Sequence, residues 1–139
     1  MSSQLTEDQI KEIISTAHSL FKEGVFSKSK VNLEKGIYYL LKTIREGFCY
    51  YDGECLFVGK LVNSWYTDDI HASDFLIYTK KESRGKGLAK KAAQEFIEWA
   101  KGKNAVSIKI ARSSGINEES FNKMAKDLNL TKVGDIYHV

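Results

Sequence analysis

The chain has 139 residues, enough for one domain with a core of its own and short for two. Hydrophobic residues at 42% and charged residues at 28% are the balance of a soluble globular protein, and no apolar run is long enough to span a membrane. A net charge of +3 is too mild to call for nucleic acid, and the polar start Met1-Ser2-Ser3-Gln4 is no signal peptide.

Thr6-Glu7-Asp8-Gln9 reads as a capping box, with Thr6 as N-cap and Gln9 three residues on. Behind it Ile10, Ile13, Ile14, Ala17, Leu20 and Phe21 recur at helical spacing, and Gly24 ends the run. A polar stretch, Ser27 to Lys30, leads to a second helix carrying Leu33, Ile37, Leu40, Leu41 and Ile44, stopped by Gly47. The pattern then changes to strands: Phe48 to Tyr51, the hairpin turn Asp52-Gly53, and Glu54 through Val62. Cys49 and Cys55 flank this turn, and a two-residue turn points them to opposite faces. The expectation is therefore two thiols and no disulfide, as in a cytoplasmic protein.

A third strand covers Ser73 to Thr79, while Ile70-His71-Ala72 fits either the preceding loop or the strand. After Gly87 a helix presents Leu88, Ala89, Ala92, Ala93, Phe96, Ile97 and Ala100 as one apolar stripe. Ala105 to Ile110 alternates as a half-buried strand. A last helix holds Phe121, Met124, Ala125 and Leu128, and Leu130 to Val139 is expected to close the fold as a strand. No repeat, linker or low-complexity tract divides residues 1–139, which read as a single domain.

The segment Ile77-Tyr78-Thr79-Lys80-Lys81-Glu82-Ser83-Arg84-Gly85-Lys86-Gly87-Leu88-Ala89 joins strand to helix through a charged, glycine-rich turn. Such a turn leaves N–H groups unpaired at the positive end of a helix, and glycine lets a phosphate approach the backbone. Arg84 and Lys86 add full positive charge there. A Walker-type loop would need Ser or Thr after its Gly-Lys, which is missing. A dinucleotide fingerprint would need a third small residue where Lys90 stands. The pattern Arg/Gln-x-x-Gly-x-Gly/Ala is met by Arg84, Gly87 and Ala89, although the same string also starts ordinary surface helices.

That third pattern resembles the acyl-CoA-binding motif of the GNAT superfamily of N-acetyltransferases. The element order α-α-β-β-β-α-β-α-β resembles the same family over most of the chain, as a mixed α/β sheet. The first edge strand of the family is missing or very short here, since only five residues precede Thr6. A second subunit, giving a homodimer, or the C-terminal strand would then cover that edge.

The resemblance implies acetyl-CoA as acyl donor. It places the pantetheine arm on the backbone of Ile77, Tyr78 and Thr79. The pyrophosphate would rest on the N–H groups of Arg84, Gly85, Lys86, Gly87, Leu88 and Ala89. Asn117 stands where many members touch the cofactor, and it suits an N-cap equally well. The lysines at 80, 81, 86, 90 and 91 thus have a phosphate-binding explanation that needs no DNA or RNA.

The chemistry implied is acyl transfer to a primary amine of a small molecule or protein, by direct attack on the thioester. No metal is implied. The family often uses a Tyr on the last helix as general acid, and here Ala125 or Met124 takes its place. The base position of the family falls on Ser73, which leaves its neighbours as candidates: His71, of the same strand parity, and Asp74, facing the other side if alternation is unbroken. Trp65, Tyr66, Asp68 and Asp69 suit a cationic amine, or equally an ordinary exposed loop. The alternative is an inactive GNAT-fold module that binds CoA or a protein partner.

Overall fold

A computed structural model describes residues 5–24, 28–111, 118–137 and 139. Helices α1 (Glu7–Glu23) and α2 (Leu33–Glu46) lead into strands β1 (Phe48–Tyr51), β2 (Cys55–Asn63) and β3 (Ile70–Thr79). A short 3-10 helix (Lys81–Ser83) precedes α3 (Leu88–Gly102), followed by β4 (Ser107–Lys109) and α4 (Glu118–Asp127). The sheet order is β1-β2-β3-β4. The first two pairings are antiparallel, and β3/β4 is parallel.

The capping box forms as the sequence requires. The Thr6 hydroxyl accepts the Gln9 N–H at 3.1 Å, and the Gln9 side chain takes the Thr6 N–H at 2.9 Å. Ile13, Ala17 and Leu20 of α1 and Leu40 and Ile44 of α2 then pack on one sheet face, against Cys49, Leu56, Val58, Leu76 and Tyr78. On the other face Ala92, Ala93, Phe96 and Ala100 of α3 and Met124 of α4 cover Phe48, Tyr50, Cys55, Phe57 and Ala72. Period-two alternation along β2 divides its side chains between the two cores.

The β1–β2 connection is longer than the two residues read from the sequence. Tyr51 pairs with Leu56, and the Asp52 carboxylate accepts the N–H groups of Glu54 and Cys55 at 2.8 and 2.7 Å. An aspartate that bonds its own backbone widens the turn. The cysteines still face opposite cores, and both are buried free thiols. Burial pushes each up to about 11. A thiol reagent should therefore find no fast-reacting cysteine at neutral pH in the native protein and two after denaturation. Spectrophotometric thiol titration reads this directly.

Ile70–Ala72, undecided in the sequence, belongs to the strand. Val62 and Leu61 pair with His71 and Ala72 from one side, and Ser107 and Ile108 from the other. One irregularity matters for the site. Val58 pairs with Leu76, but Gly59 pairs with Asp74, so Phe75 is an extra residue, a β-bulge. Past it the faces switch. Leu76 and Tyr78 turn to the α1/α2 core, while Asp74 shares the α3 face with Ile77 and Thr79, the partners of Phe57 and Cys55.

The closing strand expected over Leu130–Val139 is not formed among the described residues. Lys132 and Asp135 make an ion pair at 2.6 Å, which joins side chains that an extended strand would send to opposite faces. Neither parity of the segment is uniformly apolar either: Lys132 and Gly134 interrupt one, Asp135 the other. The observed order is thus α-α-β-β-β-α-β-α on a four-stranded mixed sheet. No strand precedes α1 among the described residues, so β1 and β4 are the sheet edges.

Candidate functional site

The site begins where β3 and β4 part. Their parallel ladder holds only His71–Ser107, Ala72–Ile108 and Ser73–Lys109, and β3 runs on for six residues without a strand on that side. The Lys80 N–H bonds the Glu54 carbonyl at 2.9 Å, which fixes the phase of the β2/β3 ladder. By antiparallel alternation Tyr78 also faces β2, whereas Ile77 and Thr79 turn their N–H and C=O groups into the opening. Those are two of the three residues expected to meet an extended ligand arm. Tyr78 instead contributes its ring and hydroxyl to the α1 side.

At the end of β3 the chain makes the 3-10 turn and reaches the two glycines. Gly85 and Gly87 adopt φ of 84° and 76°, the left-handed region, and a Cβ at either would meet nothing within 4 Å. Gly87 is the N-cap of α3, and no side chain caps it. The Ser83 and Arg84 N–H groups close back on Lys80 and Lys81, and the Lys91 N–H reaches the Gly87 carbonyl. Between them the N–H groups of Gly85, Lys86, Gly87, Leu88, Ala89 and Lys90 find no acceptor among the described residues. Six donors at a helix N-terminus, with open space before them, form an anion cradle suited to a pyrophosphate. Lys86 is exposed at its rim.

Arg84 departs from the expectation that it adds charge to this cradle. Its guanidinium turns to α1 and pairs in a fork with Glu23, at 2.7 and 2.8 Å. Its Nε donates to the Thr79 carbonyl at 3.0 Å, and its Cζ lies 5.4 Å from the centre of the Tyr78 ring. The Tyr78 hydroxyl donates to the same Glu23 carboxylate at 2.7 Å. The Arg84 hydrogen bonds hold the Glu23 carboxyl below the usual range, and Glu23 raises Arg84 in return. Glu23 was not visible as a site residue in the sequence. The one available sign was a carboxylate in the last turn of a helix, against the dipole.

The two acid–base candidates lie apart. Asp74 stands one residue past the last β3/β4 pair, beside the bulge, and its Oδ1 accepts the Ala111 N–H at 2.8 Å. It thereby spans the mouth of the opening. Burial pushes its carboxyl up to about 6. His71 lies earlier, inside the paired stretch and opposite Val62, so it faces the α1/α2 side. Its Nε2 is buried with no hydrogen-bond partner among the described residues. Asn117 lies outside the described residues. Met124 is in the core and Ala125 half-buried, so the described part of α4 offers no acid where a tyrosine was sought.

Trp65 and Tyr66, 93% and 74% exposed, pack edge to face at 4.9 Å on the β2–β3 loop. Asp69 is taken up by Thr67 at 3.0 Å. Among the described residues no cluster of His, Cys, Asp and Glu gathers as a metal site, and no helix is long and apolar enough to cross a membrane.

The model of the acetyltransferase (GNAT) family matches residues 14–123. No curated protein matches the sequence. Among solved structures, a predicted acetyltransferase with acetyl-CoA from Clostridium acetobutylicum is 14% identical, with a TM-score of 0.69 over 97% of this chain and 92% of its own. An aminoglycoside antibiotic 6'-N-acetyltransferase from Acinetobacter haemolyticus is also 14% identical, with a TM-score of 0.64 over 97% and 93%. A ribosomal-protein-alanine N-acetyltransferase from Brucella melitensis biovar Abortus 2308 is 15% identical, with a TM-score of 0.64 over 97% and 94%.

Proposed function

The chain belongs to the GNAT family of acetyltransferases, and from that premise we propose that it transfers the acetyl group of acetyl-CoA to a primary amine of a small molecule or protein. The observation that carries this is the row of six unengaged N–H groups beside the opening between β3 and β4. The cradle from Gly85 to Lys90 receives the pyrophosphate, and the outward N–H and C=O of Ile77 with the N–H of Thr79 pair with the amide groups of the pantetheine arm, the Thr79 carbonyl being held by Arg84. Acetyl-CoA supplies an activated acyl thioester.

An ammonium has no lone pair, so the acceptor must lose a proton before its nitrogen attacks. Asp74 is the base in this reading: it stands at the mouth of the opening, on the face of Ile77 and Thr79. As the new C–N bond forms and the C–S bond breaks, the thiolate takes the proton held by Asp74 or one from water, and the nitrogen loses its second proton to the freed Asp74 carboxylate or to water. His71 is the second candidate, on the strength of its unpartnered Nε2. Trp65 and Tyr66 with Asp68, on the loop at the Ile70 end of β3, offer ring faces and a carboxylate to the far part of a cationic acceptor whose amine reaches Asp74. That one solved relative is named for an aminoglycoside and another for a ribosomal-protein alanine supports either kind of acceptor.

The test is calorimetric titration with acetyl-CoA, followed by an amine panel read by release of the CoA thiol. Binding with turnover supports the proposal. Binding without turnover on any amine supports the inactive module, and no binding removes the donor. Asp74→Asn should lower kcat by about 100-fold, the scale of a lost general base. A base works only when ionised, so wild-type kcat should fall with acid through about pH 6, and the variant should lack that limb. The raised value also means that ionised Asp74 weakens the fold above that pH. Asparagine keeps an oxygen for the Ala111 N–H without the charge, so melting at pH 7 should not drop. Lost activity in that variant then reports chemistry, not unfolding.

A further inference from the structure

We propose that Glu23 is a positioning residue for the acyl-donor site: by capturing the Arg84 guanidinium it sets the turn whose N–H groups receive the pyrophosphate. The inference rests on the donor reading above and extends it to a residue on α1, 61 positions away from Arg84 in the chain.

Glu23 is the last residue of α1, where a carboxylate opposes the negative end of the helix dipole. Its local position is unfavourable, and the compensation is tertiary. Both carboxylate oxygens meet the guanidinium fork, and one also accepts the Tyr78 hydroxyl. The pair is four-fifths shielded, with 19% and 17% of the two side chains exposed. Planar bidentate geometry fixes orientation as well as distance, which a point charge does not.

Arg84 is the last residue before the two left-handed glycines. Glycine gives a chain many conformations, so the direction of the cradle N–H groups depends on what anchors its entrance. Two anchors exist. The Ser83 hydroxyl donates to the Glu54 carboxylate of the β1–β2 turn, and Arg84 is held by Glu23. Beyond Arg84, among the described residues, the next backbone bond is that of the Lys91 N–H to the Gly87 carbonyl, where α3 begins. The same guanidinium keeps its Nε on the Thr79 carbonyl, so Glu23 also steadies the strand end that borders the opening. In this arrangement Arg84 serves the phosphate through the backbone and not by direct contact.

The two roles of Arg84 give opposite signs on removing Glu23. If Arg84 touched the phosphate itself, Glu23→Gln would free a cation for it, and acetyl-CoA would bind as tightly or more tightly. Positioning predicts binding about tenfold weaker by calorimetry, the scale of one charge-assisted pair, with KM for acetyl-CoA raised and kcat kept. Arg84→Lys retains the charge but loses the fork, and positioning predicts a similar loss where a direct contact would survive. Adding Arg84→Gln to Glu23→Gln should cost clearly less than the sum of the two single losses, since the two residues share the fork and only the Nε bond to Thr79 remains to be lost.

The free protein gives an independent readout. The Gly85 and Gly87 amide resonances should shift and broaden in Glu23→Gln while those of β1 stay in place, which also shows that the variant folds. Unchanged glycine resonances, or undiminished affinity in both Glu23→Gln and Arg84→Lys, would overturn the proposal. Wild-type protein that binds no acetyl-CoA would instead sink the donor reading, and the glycine resonances would still report whether Glu23 sets the turn.

Discussion

Gly87→Glu is expected to weaken acetyl-CoA binding by at least about 100-fold, or about 2.7 kcal/mol, while leaving the protein folded. The reasons are two. Gly87 holds a φ of 76°, which costs a side-chain-bearing residue roughly 1–2 kcal/mol. That alone lowers stability modestly, because a Cβ at this place clashes with nothing. The carboxylate is the larger effect. At the N-cap of α3 it can accept the N–H groups of the first helical turn and so occupy the cradle with the wrong anion. It also adds a negative charge where two phosphates must come. Gly87→Ala separates the contributions, since it carries the strain without the charge and should lose far less affinity. Calorimetry on both variants, with melting curves as the folding control, decides it. Wild-type affinity in Gly87→Glu would remove the glycine turn as the seat of the pyrophosphate.

Gly59→Ala is expected to destabilise the protein by about 3 kcal/mol, at the upper end of overpacking. An added Cβ would lie 2.2 Å from Cε1 and 2.6 Å from Cδ1 of Phe96. Phe96 cannot swing aside. It is fully buried, with the rings of Phe57, Phe48 and Trp99 at 4.9, 5.6 and 5.9 Å. For a protein of this size the melting temperature should fall by roughly 10 °C. Trimming the opposing ring in a Gly59→Ala, Phe96→Leu double variant should recover part of the loss, a non-additivity that only a direct contact produces. Denaturant melts of the four proteins of the cycle give the number. A single variant within about 0.5 kcal/mol of wild type would contradict the packing described here. Gly59 also pairs with Asp74 across the bulge, so damage here should reach the site.

The elements most legible in the sequence were those whose cause is local. The Thr6–Gln9 capping box, the Asp52-Gly53 turn and the apolar stripe of α3 each follow from residues within a few positions of one another. The glycine turn was legible for the same reason: Gly85 and Gly87 are where a strand-to-helix connection can leave N–H groups open. The closing strand failed on local grounds too, since an i,i+3 ion pair competed with extension and the period-two pattern was weak. The width of the hairpin turn depended on which donors the Asp52 carboxylate would take, a choice that composition does not make.

By itself, then, the sequence determined the order of helices and strands as far as α4, the position of the glycine turn and the family that those two features imply. Backbone preferences and capping act over a turn or two, and a single chain carries that information openly. The tertiary structure alone decided which way the chemistry faces. The extra residue at Phe75 puts Asp74 on the side of Ile77 and Thr79, where it pairs with Gly59 of the neighbouring strand. Arg84 turns from the cradle to Glu23, because a half-buried guanidinium must be paired and the nearest carboxylate comes from the far end of α1. Both outcomes depend on contacts between residues far apart in the chain, and no local pattern contains them.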